Sequence, residues 1–213
     1  MSHPFGRRVG GSLCLDFVNT VRGRVSRGGR AREYADLVVG ERLDSYEAML
    51  RWGRFAGVLS PREAGALARA AEANPLEAEV VYRRGLDVRE AMYRVFKSAL
   101  EGWPPRSEDM AILNRELQAA RARERLTASP GFRWEWDAAP ALDRVLWPVV
   151  RSAGDLLTGA GLERVGQCPG SECGWLFLDT SRSRRRQWCD MGECGNLAKV
   201  RRFRRKQRRA AAS

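Results

Sequence analysis

The chain has 213 residues, of which 44% are apolar and seven are tryptophan, enough for one large core or for a medium and a small domain. No apolar run approaches the ~18 residues a membrane span needs, and the short apolar stretch near the start is broken by Asp16; no signal peptide is read, and a cytoplasmic protein is expected. The formal charge of +12 is concentrated at one end: residues 181–213 carry 12 Arg/Lys and 2 Asp/Glu, a net of +10, while residues 1–180 carry 26 and 24, a net of +2. A balanced body with a basic end points to a polyanionic partner for that end.

In chain order, residues 12–22 predict a first helix, with Leu13, Phe17, Thr20 and Val21 at helical spacing. Asp16, Asn19 and Arg22 on it could line an effector pocket; the competing reading is a buried polar network that fixes helix packing. A Gly- and Arg-rich stretch from Gly23 to Tyr34 reads as a loop. A second helix is expected over 44–58. Ser60, Pro61 and Glu63 spell a capping box with proline in the first turn, starting a third helix that runs to about Glu72. Asn74-Pro75 opens a long helix to about Glu101, with Leu76, Val80, Met92, Phe96 and Leu100 among its apolar positions. Trp103-Pro104-Pro105 ends it, and Ser107 caps the next, to about Glu124.

The period then changes. Ser129-Pro130-Gly131 is a turn, and Phe132, Trp134 and Trp136 alternate with charged residues, which predicts a β-hairpin with an aromatic face. Residues 139–158 return to helical spacing, with Pro148 expected to kink the helix. The fold class expected is α+β, mainly α: a helical domain with a small β-hairpin over residues 1–162, then a four-cysteine module over 163–213.

That module has the spacing Cys168-x4-Cys173-x15-Cys189-x4-Cys194. In a reducing compartment, two close pairs separated by a short segment point to metal rather than disulfides. Each tight turn supplies one edge of a tetrahedron of soft ligands, which suits one zinc ion. An iron–sulfur cluster is the other occupant that four cysteines allow. Four thiolates leave no open coordination position, so a zinc here is structural. Trp175–Leu178 and Arg186–Trp188 read as the strands of a hairpin between the pairs. A helix follows from Gly195 to about Arg209; Leu197, Val200 and Phe203 make an apolar stripe to seat it on the hairpin. Its basic residues Lys199, Arg201, Arg202, Arg204, Arg205 and Lys206 are left for a polyanion, together with Arg182, Arg184, Arg185 and Arg186 in the preceding turn.

Cys189-Asp190-Met191, Cys194-Gly195-Asn196 and Ala198-Lys199-Val200-Arg201-Arg202-Phe203 resemble the CGNR zinc finger, as do Phe177-Leu178-Asp179, Ser181-Arg182 and Trp188. Leu13, Leu15-Asp16-Phe17-Val18-Asn19-Thr20 resembles the opening of the ABATE domain that precedes this finger. The resemblance implies a treble-clef-like finger and a bacterial, stress-induced transcription regulator. The chain departs from the pattern at Leu197, which stands where the finger's signature has arginine; the change bears on nucleic-acid preference, not on the metal ligands.

His3 is the only histidine, and no phosphate-binding glycine motif is present, so no enzyme is expected. Cys14 reads as a small core residue. The leading expectation is a regulator that binds DNA through the basic helix, with a helical domain that senses a small molecule or forms a homodimer. RNA or ribosome binding is the first alternative. A protein-interaction zinc module with a ligand-binding helical domain is the second.

Overall fold

The architecture follows from one long helix that has apolar residues around most of its middle. The computed structural model describes residues 4–25, 36–128, 130–138 and 140–211. His3, Ser129 and the stretch 26–35, most of the expected Gly/Arg loop, lie outside them. The elements, in order, are α1 (Leu13–Val18), β1 (Val21–Val25), β2 (Leu37–Glu41), α2 (Tyr46–Ala56), α3 (Pro61–Ala73), α4 (Pro75–Glu101) and α5 (Ser107–Arg121). Then come β3 (Glu124–Thr127), β4 (Arg133–Trp136), a 3-10 turn (Leu142–Val145) and α6 (Trp147–Thr158). The last part holds β5 (Val165–Gln167), β6 (Leu176–Leu178), a π-helical turn (Met191–Gly195) and α7 (Asn196–Ala211).

α4 packs against α1, α2, α3 and α5, and α6 closes the bundle against α1 and α5. Val88, Met92, Tyr93 and Phe96 of α4 are sealed from solvent. Leu76, Val80 and Leu100, expected inside from periodicity, lie exposed at its two ends, where a 27-residue helix outruns its neighbours. α1 is the most deeply buried helix: Cys14, Leu15, Phe17 and Val18 have no exposed surface, and each such large apolar side chain contributes ~1.5–3 kcal/mol. Phe17 meets Trp52 edge to face at 4.8 Å. The start read at Ser60 holds locally, whereas Ser107, read as a cap, is the first residue of α5, with Arg106 before it and no side-chain cap. Ser60 accepts from the Glu63 amide while Glu63 accepts from the Ser60 amide, and Gly57 and Gly102 end α2 and α4 in the left-handed conformation.

Two expectations are corrected here. The first helix stops at Val18, not near Arg22, and Thr20 closes it by donating its hydroxyl to the Phe17 carbonyl. Val21–Val25 instead pairs antiparallel with Leu37–Glu41, a partner too distant in the chain for local periodicity to reveal. Pro148 does not kink a long helix; it lies in the first turn of α6, where its missing amide costs nothing. The hairpin β3–β4 forms as expected, in the register Leu126↔Trp134. Only Trp136 of its aromatic face turns inward, stacking near Trp147 at 5.9 Å, while Phe132 and Trp134 are exposed. Among the described residues, no helix is long and apolar enough to cross a membrane.

Candidate metal centre and basic helix

The first cysteine pair sits at the tip of a ribbon. β5 and β6 pair antiparallel with Gly166 opposite Phe177, and the Cys168 amide extends the ladder by donating to the Trp175 carbonyl at 2.8 Å. Between them the Cys173 amide closes a turn onto the Gly170 carbonyl at 2.9 Å. Gly170 is needed for close approach: a Cβ there would lie 2.9 Å from the Cys173 Cβ and within 3.7 Å of the Cys168 and Cys194 sulfurs. The second pair brackets the π-helical turn. Asp190 caps it by accepting from the Gly192 and Glu193 amides, and Arg7 pairs with the same carboxylate at 2.7 Å.

The four sulfurs lie within 4.8 Å of one another. Cys173–Cys189 and Cys189–Cys194 are 3.4 and 3.6 Å apart, close to the ~3.8 Å edge of a tetrahedron with zinc–sulfur bonds of about 2.3 Å and too long for disulfides. In the metal-free cluster, hydrogen bonds from Cys173 and Cys189 pull the Cys168 thiol down to about 2. Donating to Cys168 pushes Cys173 up to about 12 and raises Cys189 as well. Zinc binds thiolates, so a dication must displace the thiol protons, and metal binding strengthens as pH rises. The donor set and the Gly170 cradle fit a single closed tetrathiolate site.

The sequence pairing of Trp175–Leu178 with Arg186–Trp188 is not what forms. β6 pairs with β5, which precedes the cysteines. Asp179 explains the difference: its carboxylate accepts from the Ser181 and Arg186 amides, folding 179–186 into a turn. Arg186, expected to face a polyanion, is spent inside. Its guanidinium donates to the carbonyls of Leu178, Val9, Trp188 and Cys189 and lies 4.6 Å over the Phe177 ring. Arg182, Arg184 and Arg185 remain exposed.

α7 begins directly after the second pair and packs mainly on the π-helical turn. Lys199, Arg201, Arg202, Arg204, Arg205 and Lys206 are all exposed, with Arg201 donating to the Ser171 hydroxyl. The apolar stripe does not seat the helix: Leu197 is 56% and Phe203 61% exposed, and Val200 also meets solvent. The ribbon is only three residues a strand, too short to cover a helix of 16.

Residues 11–160 match the ABATE family model, described as "Putative stress-induced transcription regulator". The chain belongs to the ABATE family. Residues 164–207 match the CGNR zinc finger, so the tetrathiolate cluster is the site of one structural zinc ion. A search of curated proteins returned no match.

The ABATE segment braces the finger through residues that fit the buried polar network rather than the effector pocket. Asp16 accepts from the Gly10 amide at 2.8 Å and from Arg8 at 3.0 Å. Burial raises its carboxyl, although those hydrogen bonds and the Arg8 charge oppose the shift. Asn19 donates to the Leu176 carbonyl and accepts from the Leu176 amide, at 2.8 and 3.0 Å, fastening α1 to β6. Arg22 is exposed on β1. Asp16 and Asn19 are thus satisfied buried residues, as the polar-network reading expects, and exposed Arg22 is not part of that network. Cys14 is likewise a core residue, its thiol raised by burial.

Further braces carried no local signal. The Arg24 amide donates to the Cys173 carbonyl at 2.9 Å, and the Trp175 indole donates to the Val21 carbonyl at 3.1 Å. Gly23 passes so close to Glu172 that a Cβ would sit 1.7 Å from its carbonyl oxygen. Gln167, next to the first ligand, donates to the Tyr93 hydroxyl at 2.7 Å and to Asp36 at 3.2 Å. Burial works against the Asp36 charge, but hydrogen bonds from Lys97 and Tyr93 outweigh it and hold the carboxyl below its ordinary value.

Proposed function

We propose that this ABATE protein is a transcription regulator that binds DNA through the CGNR finger, with α7 as the principal contact and Arg182, Arg184 and Arg185 beside it. The observation that carries this reading is α7 itself. It is a helix of 16 residues, held at its base by a closed metal site and otherwise exposed, with six basic side chains from Lys199 to Lys206 free of carboxylate partners among the described residues. A cationic rod of that kind matches the phosphate spacing and groove width of duplex DNA. Leu197, in place of arginine, supplies no charge at the base of the helix; affinity then rests on the turns that follow. The reading assigns the protein no reaction.

The test is anisotropy of a labelled DNA duplex titrated with the zinc-loaded full chain across a salt series. Log affinity is expected to fall linearly with log salt, by about 0.9 per phosphate contact, and chelation of zinc is expected to abolish binding. Unchanged binding by the demetallated chain would sink the proposal. Displacement of the duplex by structured RNA at far lower concentration than by unlabelled duplex would assign the helix to RNA instead.

A further inference from the structure

We propose that the ABATE segment contributes directly to the nucleic-acid interface, with Arg22 and Arg42 binding phosphates of the strand that α7 holds. This rests on the reading of α7 given above and extends it to residues outside the finger.

A cleft of about 550 Å³ opens between the ABATE hairpin, the first cysteine turn and the base of α7. Arg22, Arg42 and Trp175 line it together with Arg201, Arg202 and Arg205 of α7. Two halves of the chain, more than 150 residues apart in sequence, thus bring five guanidiniums to one opening. Their placement is specific. The stem of Arg22 lies across Gly40, where a Cβ would come within 2.6 Å of it. The Arg42 guanidinium lies 5.3 Å from the centre of the Trp175 ring, and one of its terminal nitrogens is buried with no hydrogen-bond partner. Burial first, then the nearby Arg22 charge, disfavours the Arg42 cation, with Glu193 acting the other way. Among the described residues neither Arg22 nor Arg42 makes an ion pair. Two like charges held together with an unsatisfied buried donor ask for an anion.

The charges in the cleft discriminate between occupants. Glu172 and Glu193 also line it, and the metallated tetrathiolate carries a formal −2. Against five arginines this leaves a net of only about +1, too little to hold a free polyanionic metabolite by charge alone. The excess instead grows outward along α7, where Arg204, Lys206 and Arg208 follow without any acidic residue. A phosphodiester strand lying along α7 and reaching the hairpin arginines meets that gradient. The arginines also make no hydrogen bond to a cysteine sulfur among the described residues, so they are not clamps on the metal.

The experiment compares salt slopes of duplex binding for the zinc-loaded full chain, Arg22→Ala, Arg22→Ala/Arg42→Ala, Arg204→Ala/Lys206→Ala and, as a control on α3, Arg69→Ala. Each lost phosphate contact is expected to reduce the slope by about 0.9, cutting the affinity lost between about 50 and 200 mM salt by roughly three- to fourfold. Arg22→Ala is expected to show one such step and the double variant two, with Arg69→Ala unchanged. Arg22 is exposed, so its variant keeps the test decisive even should the Arg42 variant fail to fold. If the α7 pair lowers the slope and the hairpin variants do not, this inference is overturned while the reading of α7 stands. If the wild-type chain shows no salt-dependent binding, both fall. Loss of zinc from the hairpin variants without a slope change would make the arginines counter-charges of the metal and overturn the inference too.

Discussion

The ABATE bundle and the CGNR finger solve the same problem, that of holding a chain against its conformational entropy, by different means. The bundle does it with area: Phe17, Trp52, Tyr93, Phe96 and Trp147 are sealed in one core that α1, α2, α4 and α6 share. The finger has a separate core of just Val21, Cys168, Trp175, Phe177 and Cys189, and one of the five comes from β1 of the bundle side. So small a cluster does not offset the entropy of ordering some 45 residues. Metal ligation supplies the difference, and backbone borrowed from residues 5–25 supplies the scaffold. The finger is thus built around the N-terminal segment rather than appended to the end of the chain.

Removing the metal is the largest expected perturbation, since structural zinc contributes apparent free energies of ~10–16 kcal/mol in small fingers. Chelation or Cys189→Ser is expected to strip hydrogen-exchange protection from β5, β6 and the turn at Asp190 while the bundle amides of α4 stay protected. The amide of Arg24, which donates to the Cys173 carbonyl, is expected to lose protection with the finger although it belongs to the ABATE segment. If it keeps full protection, the two regions are more separable than their hydrogen bonds imply.

Next in size, Trp52→Ala removes a sealed side chain from the bundle and is expected to cost about 3–5 kcal/mol, read as a lower denaturation midpoint of the helical signal. The zinc stoichiometry of the folded fraction should be unchanged. Asn19→Ala attacks the junction. It leaves the Leu176 amide and carbonyl, both buried, without their side-chain partner and is expected to cost about 2 kcal/mol, with faster zinc release to a competing chelator; wild-type release kinetics would show that the junction does not support the metal site. The smallest effect is expected at α7. Phe203→Ser is expected to move the unfolding midpoint by no more than about 0.5 kcal/mol, because that ring is 61% exposed. A loss of several times that would show that the apolar stripe is covered in solution.

What could be read from sequence was local. The capping box at Ser60 and the proline at position 75 act within one turn of the chain, so α3 and α4 were placed almost to the residue, while α2, read without such signals, was overrun by two residues at each end. The metal site was legible for a similar reason. Cysteine spacing constrains geometry over five residues at a time, and the Zn²⁺ preference for four sulfurs joins the two halves without further information. The basic character of α7 is composition alone.

Tertiary structure decided everything that needed a partner from elsewhere. Sequence offered β6 only the strand Arg186–Trp188; the carboxylate of Asp179 removed it by drawing Arg186 into a turn, and β5 pairs with β6 instead. That contact also took Arg186 out of the basic surface, which no count of arginines could show. Sequence left Asn19 between a pocket and a packing role, and Leu176, 157 positions on, decided it by taking both ends of its amide. The apolar stripe of α7 has the right period, but the ribbon beside it is too short to cover it. Arg22 and Arg42 meet α7 only because β1 runs beneath the first cysteine turn, with Gly23 against the backbone of Glu172. Sequence determined the metal, the helices and the charge because each depends on neighbours a few residues away. Which charges stay free to act was decided by long-range hydrogen bonds, which satisfy some donors and leave others exposed.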